Sequence, residues 1–368
     1  MSSTEQTARV PASGFARLAP WQARAVLAAL VALVLFGLAV RPPPPKNVTT
    51  RGGKPEPGDA ALYMAEIRRV HAGENYYAVA AEELVARNYP TRSLFNWRMP
   101  LPVWLVAKMP ALAMGRVLLG GLALALLLMA FEVTAREEPK VYRRAMPLVL
   151  LLVGPLLPCV GDEVFVMPEV WSGVMLAISL LAYGLARPCL GAATGLWALF
   201  FRELALPYCL LAAGLALWQR RRRELLFWMV GLALWAVFYA LHCWQASRLI
   251  TPAALGHPGG WVQFGGTRFV LATVQCNPCL LLVPAWITVL YFAAGMLGLA
   301  GWRTTLGLRI GLTVCMYIVA FSIVGYEFNQ YWGSMIAPLF CFGVVRAPVS
   351  LCELWRAASW APVQPATA

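Results

Sequence analysis

Residues 25–40 read AVLAALVALVLFGLAV, sixteen consecutive residues without a polar side chain, and Arg41 and four prolines follow them. A helix needs about 20 mainly apolar residues to cross a bilayer. Basic residues precede the run, as in a secretory signal sequence, but no small-residue cleavage site follows it. The stretch is therefore predicted to be an uncleaved first transmembrane helix that ends at the prolines, because proline cannot continue a helix.

The same alternation of apolar runs and short charged clusters continues along the 368 residues. The composition is 60% hydrophobic and 13% charged, with a mean hydropathy of +0.65, which leaves too little polar surface for a soluble protein of this length. Runs suited to crossing a bilayer lie near residues 23–40, 113–132, 145–160, 169–186, 225–242, 270–299, 306–324 and 331–345. These features predict an all-α, polytopic transmembrane bundle that forms one membrane domain over residues 1–368, with a disordered tail at 361–368.

The chain has 30 lysines and arginines against 17 aspartates and glutamates, a net charge of +13, and the basic residues cluster at the ends of the apolar runs. This distribution follows the positive-inside rule of membrane topology and argues against a nucleic-acid partner. The run at 189–218 is long for one crossing and short for two, and it carries Arg202 and Glu203 at its centre. The charge bias favours a helical hairpin there, and hence about ten helices with both termini in the cytoplasm of a bacterial inner membrane. One long tilted helix is the alternative.

The segment 41–100 is predicted to be a structured extracytoplasmic loop. Pro-Gly-Asp at 57–59 precedes apolar residues at helical spacing, which puts Asp59 at an N-cap position. A second amphipathic stretch covers residues 75–88. Both stretches are expected to form helices that lie at the outer membrane interface.

Carboxylates collect in the predicted outer loops. The only two aspartates of the chain, Asp59 and Asp162, both lie there, and Glu163 and Glu169 follow the second. One carboxylate can act as a general base while the others orient an acceptor hydroxyl. Structural roles remain open for the same residues, namely an N-cap for Asp59 and a solvated turn for Asp162 and Glu163.

Arg202 and Glu203 stand in an otherwise apolar stretch, where a charge is costly to bury unless it is paired. Arg202 is a candidate to bind a lipid phosphate through its planar guanidinium, and a structural ion pair with Glu169 or Asp162 is the alternative. The other outer-loop candidates for binding sugar or phosphate, for which interfacial anchoring is an equal explanation, are Trp97, Arg98, Glu203, Arg268, Glu327, Asn329 and Tyr331.

No metal site or cofactor is predicted from the side chains that commonly bind metals. The chain has nine cysteines, and only Cys276 and Cys279 form a CxxC pair, without a second pair or a nearby histidine. Both are expected to pack as small apolar side chains.

Three segments carry a resemblance to a known family. They are Pro57-Gly-Asp-Ala-Ala-Leu-Tyr63, His71-Ala-Gly-Glu-Asn-Tyr-Tyr77 and Phe201-Arg-Glu-Leu-Ala-Leu-Pro207. Together with the predicted architecture they resemble the GT-C superfamily of integral membrane glycosyltransferases, in particular its bacterial polyprenyl-phosphate-mannose branch. The resemblance covers most of the chain in architecture, while the motifs themselves are short.

The resemblance implies an inverting hexosyltransferase of the cell envelope, with Asp59 as the general base. Its donor is expected to be a sugar on polyprenyl phosphate, and its acceptor an extracytoplasmic glycan or lipid. Many members carry paired acidic residues in the first loop, whereas Ala60 follows Asp59 here. That departure makes a metal-bridged site less expected and leaves the second carboxylate to Asp162 or Glu163.

Two other classes of protein are compatible with the sequence. A transporter or flippase of lipid-linked or polar substrates should show repeats and interrupted helices, and apart from Asn277-Pro278 the chain shows little of either. A noncatalytic envelope-assembly protein would have the same hydropathy, but it would not need the outward carboxylates.

Overall fold

The structure is a computed structural model, and the residues that it describes are 13–40, 50–51, 54–55, 58–137, 144–161, 163–256 and 259–359. Asp162 and the predicted tail at 361–368 lie outside these residues.

Regular structure in the described residues is helical, apart from a two-residue antiparallel ladder and one isolated bridge. The ladder pairs Thr50–Arg51 with Lys54–Pro55. The α-helices in chain order are α1 Pro20–Val40, α2 Asp59–His71, α3 Tyr76–Ala86, α4 Leu101–Ala107, α5 Ala113–Glu137, α6 Ala145–Leu156, α7 Pro168–Gly184, α8 Pro188–Phe201, α9 Leu206–Trp218, α10 Arg222–Ser247, α11 Gly266–Val274, α12 Pro278–Leu281, α13 Ala285–Gly301, α14 Thr305–Ile323, α15 Ala337–Val344 and α16 Ala347–Ser359. The 3-10 helices are Gly14–Arg17, Leu94–Asn96, Leu157–Cys159, Val164–Val166, Glu203–Ala205 and Glu327–Met335.

Within these residues, four helices are long and apolar enough to cross a membrane, namely α1, α5, α10 and α14. The helices α15 and α16 meet at an angle of 46° and together would make a fifth span. Helices α6, α8, α9 and α13 are apolar but shorter. The all-helical prediction is thus confirmed for this part of the chain, and the architecture fits a multi-pass membrane protein. The predicted total of about ten membrane helices stays a prediction.

The described part of the predicted first outer loop contains α2, α3 and α4. The N-cap of α2 is Gly58, so the prediction that Asp59 is the N-cap is wrong by one position. Asp59 lies in the first turn, where its negative charge is close to the free N–H groups of the helix start. Asn75 caps α3 by accepting a hydrogen bond from the N–H of Tyr77 at 3.0 Å. A buried apolar face packs α2 against α3 and α4.

The chain doubles back at Arg202, whose extended backbone separates α8 from α9. Gly195 and Cys209 are equally far from Arg202 along the chain, and they are in contact. The thiol of Cys209 donates to the carbonyl of Gly195 at 3.4 Å. On the neighbouring helix α7, the hydroxyl of Ser179 bonds to the hydroxyl of Tyr208 at 2.6 Å and donates to a carbonyl of α8. Residues 189–218 therefore form a hairpin of two short helices and not one long helix.

Charged residues gather at two ends of the bundle. At one end Arg346 pairs with Glu137 at 2.6 Å, and Arg309 lies 3.6 Å from Glu224; this is called the arginine end below. Helix α5 finishes there after 25 residues, a length of about 38 Å. Its other terminus lies beside the 3-10 helix Val164–Val166, which packs against α2. That opposite end, which carries Asp59, is called the Asp59 end.

Candidate functional site

The Asp59 carboxylate is held by a tyrosine from the turn after α3. Asn88 takes a left-handed conformation with φ of 57°, which asparagine tolerates better than most residues, and this turns Tyr89 back towards α2. The Tyr89 hydroxyl donates to Asp59 Oδ1 at 2.5 Å. Burial and the nearby Asp59 charge raise the pKa of Tyr89, so the phenol keeps its proton. One oxygen of a partly buried carboxylate is thereby engaged, and its orientation is set.

Two further polar side chains follow Asp59 on the same face of α2, since helical positions i, i+4 and i+7 align. Tyr63 is 2% exposed, and its hydroxyl accepts a hydrogen bond from Arg98 Nε at 2.7 Å. Glu66 is 2% exposed, and its Oε2 has no hydrogen-bond partner among the described residues. Burial raises the pKa of Glu66 to about 8, which favours the protonated carboxyl at neutral pH.

Arg98 lies beside α2 in a fixed orientation. Its guanidinium also donates to the carbonyl of Phe95, and its own carbonyl accepts from Tyr76 at 2.6 Å. Both acceptors of the guanidinium are neutral, and no carboxylate of the described residues forms an ion pair with it. Arg98 is only half-buried. A charged, pre-oriented donor group thus remains available at this end of the bundle.

Arg202 is placed differently, because it is 1% exposed and has two acidic neighbours. Its Nε lies 2.7 Å from Oε1 of Glu169 in the first turn of α7, and its Nη1 contacts Glu203. The structure therefore contains the ion pair that the sequence left as the alternative to phosphate binding. Neither oxygen of Glu169 accepts a hydrogen bond of good geometry from a described residue. A donor from a bound molecule would satisfy this buried carboxylate.

Tyr331 lies within electrostatic range of these charged groups. Burial raises the pKa of Tyr331, the Asp59 charge raises it further, and Arg98 opposes both effects. Glu169 and Arg202 also act on it through space. The Asp59 cluster, as the term is used below, consists of Asp59, Tyr63, Tyr89, Arg98, Glu169, Arg202 and Tyr331.

Asn329 is buried at 1% exposure and contacts Tyr331, one of the three tyrosines of this cluster. Its Oδ1 accepts from the N–H of Tyr326 at 3.0 Å, and its Nδ2 donates to the Tyr331 hydroxyl at 3.4 Å. Asn329 therefore stabilises the 3-10 helix Glu327–Met335. Its role in the structure is to position Tyr331.

Other residues singled out from the sequence have different surroundings. Trp97 is 3% exposed, and its indole donates to the carbonyl of Thr91 at 3.0 Å, which is a packing position. Arg268 and Glu327 form an exposed pair at 3.5 Å. Glu163 is exposed at the start of the 3-10 helix Val164–Val166.

Glu66 was missed by the sequence analysis. The only signal was its place seven residues after Asp59, which puts it on the same helical face. In the described part of the chain no three His, Cys, Asp or Glu side chains are grouped so that they could hold a metal ion.

Comparisons with known proteins identify no relative: no family model, no curated protein and no solved structure matches the chain. The long apolar helices fit a multi-pass membrane protein.

Proposed function

We propose that the protein is a membrane glycosyltransferase that moves a hexose such as mannose from polyprenyl phosphate to an extracytoplasmic glycan or lipid acceptor, with inversion. The observation that carries the proposal is the Asp59 carboxylate at the end of the bundle, oriented by Tyr89 at 2.5 Å. A cationic donor, Arg98, and a buried carboxylate, Glu169, act on the same tyrosines. A general base beside an anion-binding group is the arrangement that glycosyl transfer needs.

In the proposed reaction Asp59 removes the proton from the acceptor hydroxyl. The acceptor oxygen attacks the anomeric carbon from the face opposite the phosphate, and the bond between that carbon and the phosphate oxygen breaks. The electron pair leaves with polyprenyl phosphate, and the configuration inverts. Tyr89 engages Oδ1, so Oδ2 is the oxygen assigned to take the proton.

Arg98 is assigned the departing phosphate. Its guanidinium is half-buried and bonded to neutral acceptors, whereas Arg202 is fully buried between Glu169 and Glu203. A charge already matched by two carboxylates has little left for a third anion. Arg202 is assigned to hold Glu169 through Oε1, and Oε2, which has no hydrogen-bond partner among the described residues, is assigned to a sugar hydroxyl.

The test uses purified protein in nanodiscs and measures release of polyprenyl phosphate from a panel of polyprenyl-phosphate sugars, with and without acceptor glycans and lipids. Asp59→Asn should abolish turnover while thermal stability and donor binding persist. Glu132→Gln is the matched control, because it removes an exposed carboxylate near the arginine end. Undiminished turnover by Asp59→Asn, or a folded wild type that neither binds nor cleaves any donor, would falsify the proposal.

A transporter is the second candidate, and interrupted helices favour it. The helices α11 and α12 are separated at residues 275–277, where the side chains of Gln275 and Asn277 are buried, and α15 is bent against α16. Discontinuous helices with buried polar groups are common at transport sites. Movement of a labelled polyprenyl-phosphate sugar across sealed vesicles without cleavage, unchanged in Asp59→Asn, would favour transport.

A further inference from the structure

A cavity of about 540 Å³ opens at the arginine end, remote from Asp59. Three arginines from different parts of the fold line it: Arg136 at the end of α5, Arg221 just before α10 and Arg309 on α14. The hydroxyl-bearing Thr304 and Thr305 complete the polar side of the wall. The volume lies in the range of small-molecule sites, which is roughly 300–1,000 Å³.

The positive charge around this cavity is incompletely matched. Arg136 pairs with the exposed Glu132 at 2.5 Å, and Glu224 lies between Arg221 at 3.4 Å and Arg309 at 3.6 Å, so two carboxylates serve three guanidiniums. Arg309 is 3% exposed, with its guanidinium over the ring of Tyr183 at 3.9 Å. Such long contacts leave donor capacity that an anionic group can use.

The acidic residue of the lining does not offset this charge. Glu137 accepts from Arg346 at 2.6 Å through Oε2, and its Oε1 accepts from Trp302 at 3.2 Å and from Thr304 at 3.3 Å. Its charge is thereby neutralised by an arginine that does not line the cavity. Because the Thr304 hydroxyl donates to Glu137, an anion in the cavity would meet the guanidinium donors and the hydroxyl of Thr305.

A second cavity of about 670 Å³ shares Thr304 and Thr305 with the first. Its walls are apolar side chains of α13 and α14, and Arg303 lies at its polar end. Gly311 leaves the groove open, because a Cβ built there would meet only one backbone oxygen, at 4.0 Å. The groove follows the outer side of α14, where Leu308 and Leu312 are exposed as in a lipid-facing helix.

We propose that the two cavities together bind one anionic phospholipid at the arginine end. Its phosphate lies among Arg136, Arg221 and Arg309, and an acyl chain lies in the groove beside Gly311. Charge complementarity and an adjoining apolar groove select an amphiphile over a free anion, since inorganic phosphate has nothing to place in the groove. The site is separate from the Asp59 cluster and does not depend on glycosyl transfer.

The experiment is native mass spectrometry of the full chain in detergent, titrated with phosphatidylglycerol, phosphatidylcholine or inorganic phosphate. Phosphatidylglycerol should bind in a one-to-one complex that inorganic phosphate does not displace. The Arg136→Gln, Arg221→Gln double variant should weaken binding by roughly ten- to thirtyfold, since each arginine near an anionic headgroup contributes about fivefold. Arg87→Gln, Arg248→Gln is the control for lost charge.

Gly311→Leu tests the groove without removing charge, and Gly121→Leu is its control because a Cβ there meets nothing within 4 Å. Gly311→Leu should weaken phosphatidylglycerol binding and abolish the advantage of long over short acyl chains. The proposal is overturned if phosphatidylcholine binds equally well or if inorganic phosphate displaces phosphatidylglycerol. It is also overturned if Gly311→Leu or the arginine double variant binds phosphatidylglycerol with unchanged affinity. Thermal unfolding of each variant identifies one that has failed to fold. Gly311→Leu and the Arg136→Gln, Arg221→Gln double variant test the groove and the charge independently.

Discussion

The Tyr89 hydroxyl donates a hydrogen bond to Oδ1 of Asp59 at 2.5 Å, although 30 positions separate the two residues in the chain. The bond joins the turn after α3 to the first turn of α2. It holds the proposed base in one orientation and leaves its second oxygen for the acceptor hydroxyl.

Removing the Tyr89 hydroxyl should slow catalysis without preventing folding. We expect Tyr89→Phe to lower kcat by about tenfold with a small change in KM, because a misoriented base is a poorer base while substrate contacts persist. Steady-state release of polyprenyl phosphate provides the measurement. Tyr77→Phe is the control, since that hydroxyl bonds to His242 and not to the cluster. Equal kcat values for Tyr89→Phe and wild type would remove Tyr89 from the mechanism.

Arg98 and Arg268 should differ in their importance for the donor. Arg98→Gln is expected to raise KM for the polyprenyl-phosphate sugar by roughly ten- to a hundredfold, the range for losing a hydrogen bond to a charged group. Arg268→Gln should change KM by no more than about threefold, because exposed ion pairs contribute little. The reverse order of effects would move the phosphate site from Arg98 to the exposed Arg268.

Glu66 should make stability depend on pH. Its pKa is raised from 4.5 to about 8 in the folded protein by burial, so the folded state keeps a proton that the unfolded chain loses. The stabilisation from the neutral carboxyl is complete below pH 4.5 and is lost as the pH rises through 8. Glu66→Gln keeps the neutral shape and should remove this dependence. Thermal unfolding between pH 5 and 9 should show the variant gaining on the wild type as pH rises; parallel curves would contradict the assignment.

The Arg202 pair should show strong coupling in stability. Breaking a buried ion pair by removing one partner typically costs about 3–5 kcal/mol, because the other charge stays buried. We expect Glu169→Gln and Arg202→Gln each to lower the free energy of unfolding, and the double variant to lose less than the sum of the two. A double-mutant cycle by denaturant or thermal unfolding measures the difference. Additive losses would show that the 2.7 Å contact contributes nothing.

The hairpin at residues 189–218 shows which features local sequence can predict. Arg202 and Glu203 in an apolar run, together with the distribution of basic residues, favoured a turn over a single helix, and the structure has that turn. The roles of the turn residues were not predictable in the same way. Whether Arg202 binds a phosphate or pairs with Glu169 depends on how α7 packs against α8, which no periodicity of either segment encodes.

Trp97 and Glu66 show that the burial of a single side chain could not be predicted from the sequence. An aromatic residue among arginines in a loop indicated a binding surface, yet Trp97 is buried and its indole bonds to Thr91. Glu66 looked like one of many charged residues of an amphipathic helix, yet it is 2% exposed. Burial of an individual side chain is set by the neighbouring helices, so composition and spacing predicted neither.

By itself the sequence determined the helical, membrane-compatible character of the protein, because long apolar runs and the charges that interrupt them are local properties that any arrangement of the helices retains. Only the tertiary structure decided which polar groups meet. The pairing of Tyr89 with Asp59, the enclosure of Arg202 and Glu66, and the arginine cavity arise where separate helices converge. Contacts between residues distant in the chain are fixed by packing, and packing is a property of the whole bundle.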